Sequence, residues 1–224
     1  NYFAAVHGTA EEYYSLLNYA TSNPLFFPHF YEEVEKGLDI DNYIDYHIAQ
    51  IYYSNTDWPG NNTKIWRSRN NDGQWRWILY DTDFGFNLRY GGNVNHNTLN
   101  FALDPSGPGW PNPPWSTQLF RQLFESPTFR TKFANRTADL MNSAFKPSHI
   151  HFVIDSLSNL IESEIPRHMN TVTPAGAYGG SVGEWNNQIR SMKNFGTQRP
   201  TYIENAFTQP VNQGGKLGVG PLRD

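Results

Sequence analysis

Four polar residues within residues 55–86 have the types and spacing of a phosphoryl-transfer site. Asp57 is followed five residues later by Asn62, and two more carboxylates, Asp81 and Asp83, come after a predicted pair of strands. In enzymes that move a phosphoryl group, an Asp accepts the proton of the attacking hydroxyl, an Asn five residues later binds a cation, and a later Asp links that cation to the phosphates. The order of these residues therefore predicts metal-assisted phosphoryl transfer with Asp57 as the catalytic base.

Two other interpretations fit parts of the same set. Asp81-Thr82-Asp83 has the form of the acidic motif that binds the metal of a nucleotide-sugar glycosyltransferase. Carboxylates two residues apart are also common cation ligands, and an Asp shortly before Pro-Gly, as Asp57 is, is ordinary in a turn. A glycosyltransferase and a non-catalytic surface or scaffold module that binds a cation or glycan are therefore the alternatives.

A helix predicted over residues 42–53 positions Asp57. Its apolar side chains recur every three or four residues, which is typical of a helix with one buried face, and Asp41 precedes it as the predicted N-cap. His47 falls on the buried face and is interpreted as a core histidine. The helix therefore brings the chain to Asp57 just beyond its C-terminus.

A β-hairpin is predicted to carry the later carboxylates. Strands over residues 63–69 and 75–81 flank an Asn-Asp-Gly turn. Alternation along the second strand places four side chains on one face: Trp75, Trp77, Leu79 and Asp81. Asp81 is thus predicted to end an apolar row, where a carboxylate needs a cation or hydrogen-bond donors to stay ionised.

The rest of the chain is predicted to be mainly helical. The predicted helices cover residues 10–19, 30–36, 117–124, 128–145, 148–165, 184–195 and 200–207. Residues 87–114 are rich in Asn, Gly and Pro and are predicted to form a long loop that acts as a lid or a binding loop. The fold class is therefore α+β, mainly helical, with one domain over residues 1–208 and a Gly- and Pro-rich tail or linker over 209–224.

Composition excludes several classes of function. The chain has 224 residues, 38% of them hydrophobic, which is enough to bury a sizeable core. A net charge of −4 with both signs dispersed argues against a nucleic-acid partner, and no apolar run is long enough for a membrane span. The absence of cysteine excludes disulfides and thiol catalysis. Many Asn, Tyr, Trp and Gly residues with few Lys favour a secreted or cell-surface protein.

The stretch around Asp57 resembles the spore coat protein H (CotH) kinase family, which has an atypical protein-kinase-like fold. The matching features are an aromatic-rich helix over Tyr43 to Tyr53, Asn55-Thr56-Asp57 followed by Asn62, Lys64-Ile65-Trp66, Gln74-Trp75 and Leu79-Tyr80-Asp81-Thr82-Asp83-Phe84-Gly85. Roughly 50 residues carry this resemblance. It implies the C-terminal lobe of a kinase-like fold, with the hairpin carrying the metal site.

The resemblance also implies an activity and roles for the residues. The family transfers the γ-phosphate of ATP to Ser or Thr hydroxyls of secreted or surface proteins, with Mg²⁺ or Mn²⁺ bridging the phosphates. In this pattern Asp57 is the base, Asp81 the main metal and nucleotide ligand, and Asn62 and Asp83 are further ligands.

One part of a kinase is missing from the pattern. Kinases cover the phosphates with a Gly-rich loop and clamp them with a strand Lys, whereas the Lys before Asp57 in this sequence is Lys36, beside Gly37 in a helical stretch. An N-terminal lobe is therefore predicted upstream of Asn1, and residues 1–224 by themselves are predicted to bind nucleotide weakly or not at all.

Overall fold

Helices form most of the protein in the computed structural model, which describes residues 4–70, 73–88, 92–107, 109–172, 181–208, 210–211 and 215–216. The helices in these ranges are α1 (Glu11–Ser22), α2 (Pro28–Gly37), α3 (Ile40–Tyr53), α4 (Thr98–Leu103), α5 (Gln118–Leu123), α6 (Pro127–Met141), α7 (Pro147–Ile161), α8 (Ile165–Val172) and α9 (Val182–Thr208). The strands are β1 (Lys64–Trp66), β2 (Arg76–Ile78), β3 (Pro210–Val211) and β4 (Gly215–Lys216). The prediction of a mainly helical fold with a small antiparallel hairpin is confirmed.

Helix α3 lies in the hydrophobic core, with most of its side chains buried. Its N-cap is Asp39, not the predicted Asp41, because the Asp39 carboxylate accepts a hydrogen bond from the backbone N–H of Asn42 at 3.0 Å. His47 is buried as predicted, and its ring stacks on that of Phe120 with the ring centres 4.3 Å apart. The core around α3 holds the start of the candidate site in place.

The hairpin of β1 and β2 is shorter than predicted. The two strands pair antiparallel with Ile65 opposite Trp77, and the Trp77 N–H donates to the Asn42 side chain at 2.6 Å, which fastens the hairpin to α3. Trp77 is buried, but Leu79, on the same predicted face, is 42% exposed. The apolar row therefore does not reach Asp81, because β2 ends at Ile78 and Asp81 has a φ of +50° that leaves the extended conformation.

Helix α9 is continuous, whereas two helices were predicted on either side of residues 196–199. Pro200 lacks the N–H of a normal helix residue, but buried side chains at four-residue intervals continue through it and hold one face of α9 in the core. These side chains are Phe195, Arg199, Ile203 and Phe207. Tertiary packing thus outweighs the local cost of proline.

The other helix boundaries also shift. The helix predicted over 148–165 divides into α7, a 3₁₀ turn at Glu162–Glu164, and α8. Residues 87–114 contain α4, whose Leu99, Ala102 and Leu103 are buried, so the prediction of a loop without secondary structure was wrong. Its role as a lid or a binding loop stays a prediction.

Little of the predicted tail can be described. Within it, β3 and β4 form an antiparallel pair with Val211 opposite Gly215, and the other tail residues lie outside the described ranges. Over the part of the chain that the structure describes, no helix is long and apolar enough to cross a bilayer.

Candidate functional site

The segment that carries Asp57, residues 54–62, leaves the end of α3 and is here named the Asp57 loop. Ser54 ends the helix with a φ of +57°. Asn55 is fully buried, and its side-chain oxygen accepts a hydrogen bond from the Asp57 N–H at 3.0 Å. On the other side of Asp57, the buried Trp58 indole donates to the Tyr46 hydroxyl at 3.0 Å. Asp57 therefore lies between two anchored residues.

The Asp57 carboxylate is held by two asparagine amides. The Asn61 side-chain nitrogen donates to both carboxylate oxygens at 3.0 and 3.1 Å, and that of Asn62 donates to Oδ2 at 2.9 Å. The five-residue offset predicted from the sequence is thus a direct contact. Because the Asn62 nitrogen points to Asp57, its amide oxygen is the atom that can face a cation. Asn61 contacts the same carboxylate.

Asp81 and Asp83 are exposed carboxylates beyond the end of β2. Partial desolvation raises the pKa of Asp81, and the hydrogen bond and charge of Asp83 raise it further, with a smaller contribution from the charge of Asp57. The Lys64 ammonium opposes this shift. The charges of Asp57 and Asp83 therefore both act on Asp81.

One close approach joins the two halves of the site, which are the Asp57 loop and the segment over residues 81–86. The Phe86 N–H donates to the Tyr53 carbonyl at 2.9 Å. A Cβ added to Gly85 would lie 2.9 Å from the same oxygen, so only glycine fits without a shift of its neighbours. The backbone beyond Asp83 is thus held against the end of α3, where the Asp57 loop starts.

The lysines of the region have different positions. Lys36 forms an exposed ion pair with Glu33 near the end of α2. Lys64 lies over the Tyr80 ring, 4.4 Å from its centre, and its charge acts on Asp81. The antiparallel register, which pairs Lys64 with Ile78, brings Lys64 near the residues that follow β2, a proximity that the sequence did not predict.

An open apolar pocket of about 460 Å³ adjoins the acidic residues. It is lined by Tyr53, Leu79, Tyr80, Thr82, Phe86, Ala144, Phe145, His149, Ile150, Val153 and Ile154. Tyr80 and Thr82 flank Asp81 in the chain, so two of the lining residues are sequence neighbours of that carboxylate. Its volume falls in the range that accommodates a small molecule or a large side chain.

The predicted metal ligands are all oxygen donors. Among the described residues, no group of three or more His, Cys, Asp or Glu side chains is placed to hold a metal ion. The predicted ligands are two carboxylates, Asp81 and Asp83, and the amide oxygen of Asn62. Mg²⁺ is usually held by one or two carboxylates together with substrate phosphates, and not by an all-protein cage. The donor types are therefore those expected for Mg²⁺ or Mn²⁺, and the binding of either ion with a nucleotide stays a prediction.

Comparison with known proteins identifies one family. The family model described as CotH kinase protein matches residues 6–203, a range that contains the Asp57 loop, the β1–β2 hairpin and both later carboxylates. No curated protein and no solved structure matches the chain. The family match confirms the resemblance that the sequence motifs predicted.

Proposed function

The chain belongs to the CotH kinase protein family, and we propose that it transfers the γ-phosphate of ATP to Ser or Thr hydroxyls of protein substrates. Family membership indicates a protein-kinase-like function, and the phosphate donor, the metal and the acceptor are our proposal. The observation that supports it best is the Asp57 carboxylate, which Asn61 and Asn62 orient while its charge acts on Asp81.

Asp57 is the proposed base. A general base has to lie within hydrogen-bond reach of the proton that it accepts and has to keep its orientation during the reaction. The amides of Asn61 and Asn62 fix the carboxylate, and the Asn55 side chain fixes the backbone N–H of the same residue. Oδ1 accepts one of these hydrogen bonds, from Asn61, and keeps a lone-pair site, so Asp57 can still accept a hydroxyl proton.

Asp81 is the proposed main ligand of Mg²⁺ or Mn²⁺, with Asn62 and Asp83 as further ligands. A bound cation supplies positive charge that neutralises the phosphate oxygens during transfer. Lys64, whose ammonium already acts on Asp81, adds positive charge on the same side of the hairpin. The carboxylates repel one another in the protein alone, which favours the binding of a cation between them.

We further propose that the described helical part corresponds to the C-terminal lobe of a kinase-like fold, with the β1–β2 hairpin leading to the metal ligands. Lys36 is paired with Glu33 on the surface of α2 and is not placed as a phosphate clamp. Residues 1–224 are therefore expected to bind ATP weakly, and phosphate transfer is to be measured at ATP concentrations high enough to compensate for weak binding.

The proposal is tested by phosphate transfer from γ-labelled ATP. The protein is incubated with Mg²⁺ or Mn²⁺ and a Ser-rich acceptor such as casein, and the phosphorylated residues are identified by mass spectrometry. Asp57→Asn should slow transfer by about 10²–10⁴-fold, the range that general-base catalysis contributes. The control, Asp139→Asn, removes an exposed carboxylate on α6 and should stay within about twofold of wild type.

Two results would contradict the proposal. One is metal-dependent turnover of a nucleotide sugar without phosphate transfer, which would favour the glycosyltransferase alternative. The other is an Asp57→Asn variant as active as the wild-type protein, which would remove Asp57 from the chemistry.

A further inference from the structure

Arg199 is a buried arginine in the middle of α9, and it makes five hydrogen bonds. Its side chain is part of a residue only 1% exposed to solvent. Nε donates to the Tyr52 carbonyl at 2.9 Å, and Nη2 donates to the Ile51 carbonyl at 2.6 Å and the Thr98 hydroxyl at 3.1 Å. Nη1 donates to the carbonyls of Val94 and His96 at 2.6 and 2.8 Å. These five bonds match the five N–H donors of a guanidinium.

Two of these acceptors belong to the last turn of α3. The last four carbonyls of a helix accept no hydrogen bond from an N–H within the helix and need donors from outside it. Arg199 donates to the middle two, Ile51 and Tyr52, and the Ile51 carbonyl also accepts from the Ser54 N–H at 3.2 Å. Backbone N–H groups of the candidate site donate to the outer two. Those bonds run from Asn55 N to Gln50 O at 3.2 Å and from Phe86 N to Tyr53 O at 2.9 Å. The base of the Asp57 loop is therefore fixed partly by Arg199.

The remaining acceptors belong to the segment before and at the start of α4. The guanidinium donates its other hydrogen bonds to this segment, at the carbonyls of Val94 and His96 and the hydroxyl of Thr98. The same segment contacts the first residue of the Asp57 loop, because the Ser54 hydroxyl donates to the Asn93 carbonyl at 3.0 Å. Arg199 thus joins α9, the end of α3 and the α4 segment at one point.

The partners of Arg199 are carbonyl and hydroxyl oxygens. Burial lowers the pKa of Arg199 to about 10, so the side chain remains a cation at neutral pH. The C-terminal end of α3 carries partial negative charge, which favours a cation there. A Lys has its three donors on one nitrogen and cannot span acceptors on two separate segments as a planar guanidinium does.

We propose that Arg199 is a positioning residue, which fixes the end of α3 and thereby the place of Asp57 in the site. It does not touch the reacting atoms and acts through the Ile51 and Tyr52 carbonyls. For its kinetic test this inference rests on the proposed function, but its structural test does not.

The test compares Arg199→Lys with the wild-type protein, and Arg136→Met is the control because Arg136 pairs with Asp45 on the protein surface. Hydrogen–deuterium exchange is measured for residues 50–62 and, as an internal reference, for α2. Phosphate transfer is measured over a range of ATP concentrations so that kcat and KM are obtained separately. Arg199→Met is added as a second variant that keeps side-chain bulk and removes every donor.

In Arg199→Lys, hydrogen exchange of residues 50–62 should become faster while exchange of α2 is unchanged. The variant should also lower kcat by about 10²-fold with little change in KM for ATP, because a misplaced base slows the chemical step. Uniformly faster exchange along the whole chain, or an unchanged kcat in the folded Lys variant, would overturn the inference. If the wild-type protein transfers no phosphate, the proposed function fails, and the exchange pattern still decides the role of Arg199. If Arg199→Met does not fold, the Lys variant alone decides it.

Discussion

The Phe86 backbone N–H donates a hydrogen bond of 2.9 Å to the Tyr53 carbonyl, and this bond joins the two halves of the candidate site. Tyr53 is the last residue of α3, from which the Asp57 loop departs, and Phe86 follows the Asp81 and Asp83 carboxylates. Carboxylates from distant parts of the sequence are thereby held on one backbone framework. The variants below test separate parts of that framework.

Gly85→Ala should weaken the connection between the halves. The added Cβ would meet the Tyr53 carbonyl at 2.9 Å and the Thr82 carbonyl at 3.1 Å, so the segment has to move away from α3. We expect a loss of about 1–3 kcal/mol in the free energy of unfolding, as for other overpacked sites, together with slower phosphate transfer. Urea unfolding and the transfer assay measure the two effects.

The matched control is Gly183→Ala near the start of α9, where the added Cβ has an ordinary contact at 3.7 Å. It should leave stability unchanged or raise it by up to about 1 kcal/mol through helix propensity. A Gly85→Ala variant as stable as this control would show that the close approach to Tyr53 is unimportant.

Two substitutions at Asn62 distinguish the effect of losing its side chain from the effect of backbone strain. Its φ is +52°, a conformation that glycine adopts freely and alanine does not. Asn62→Gly therefore removes only the amide that contacts Asp57, whereas Asn62→Ala also adds about 1–2 kcal/mol of strain. Both variants should slow transfer by about 10–100-fold, with the Ala variant less stable by that strain. Wild-type transfer by a folded Asn62→Gly variant would remove Asn62 from the site.

The buried His47 side chain should make the stability of the protein depend on pH. Burial lowers its pKa from 6.5 to about 3, so the folded protein keeps it neutral under conditions where the unfolded chain protonates it. The unfolded state then binds more protons between pH 6.5 and 3, and stability falls as the pH falls through this window. From pH 7 to pH 5 the contribution of His47 is a loss of about 2 kcal/mol.

His47→Gln keeps a side-chain N–H that can donate to the Tyr43 carbonyl, as the His47 ring does at 2.9 Å. This variant should show a flatter decline in unfolding free energy between pH 7 and pH 5. The comparison is His29→Gln, at an exposed histidine. An equally steep decline in His47→Gln and the wild type would assign the acid sensitivity to other groups.

Local features of the site were predictable from the sequence. The apolar spacing of α3 and the offset between Asp57 and Asn62 lie within one helix and its following loop, so their geometry depends mainly on near neighbours. The family motifs extended this to Asp81 and Asp83. The strand parity of Asp81 was wrong because its left-handed φ is set by the return of the chain to Tyr53, a tertiary contact without a local signal.

Long-range packing explains the other differences. Proline at position 200 suggested a helix break, but the buried face of α9 carries the helix through it. Arg199 was not predicted as a site residue, because its partners at Ile51 and Tyr52 lie far away in the sequence. An isolated arginine beside a proline has no pattern from which such a role could be inferred. The position of Lys64 near the residues that follow β2 depends on the register of the hairpin.

The most direct measurement compares Mn²⁺ binding with phosphate transfer in Asp57→Asn and Asp81→Asn. Electron paramagnetic resonance reports the change that the protein makes to the spectrum of the Mn²⁺–ATP complex, and labelled ATP reports transfer by the same samples. We predict that Asp81→Asn weakens Mn²⁺ binding by about tenfold or more, whereas Asp57→Asn binds Mn²⁺ nearly as the wild type does and loses transfer by about 10²–10⁴-fold. Wild-type Mn²⁺ affinity in Asp81→Asn, or wild-type transfer in Asp57→Asn, would contradict a shared site in which Asp81 binds the metal and Asp57 accepts the proton.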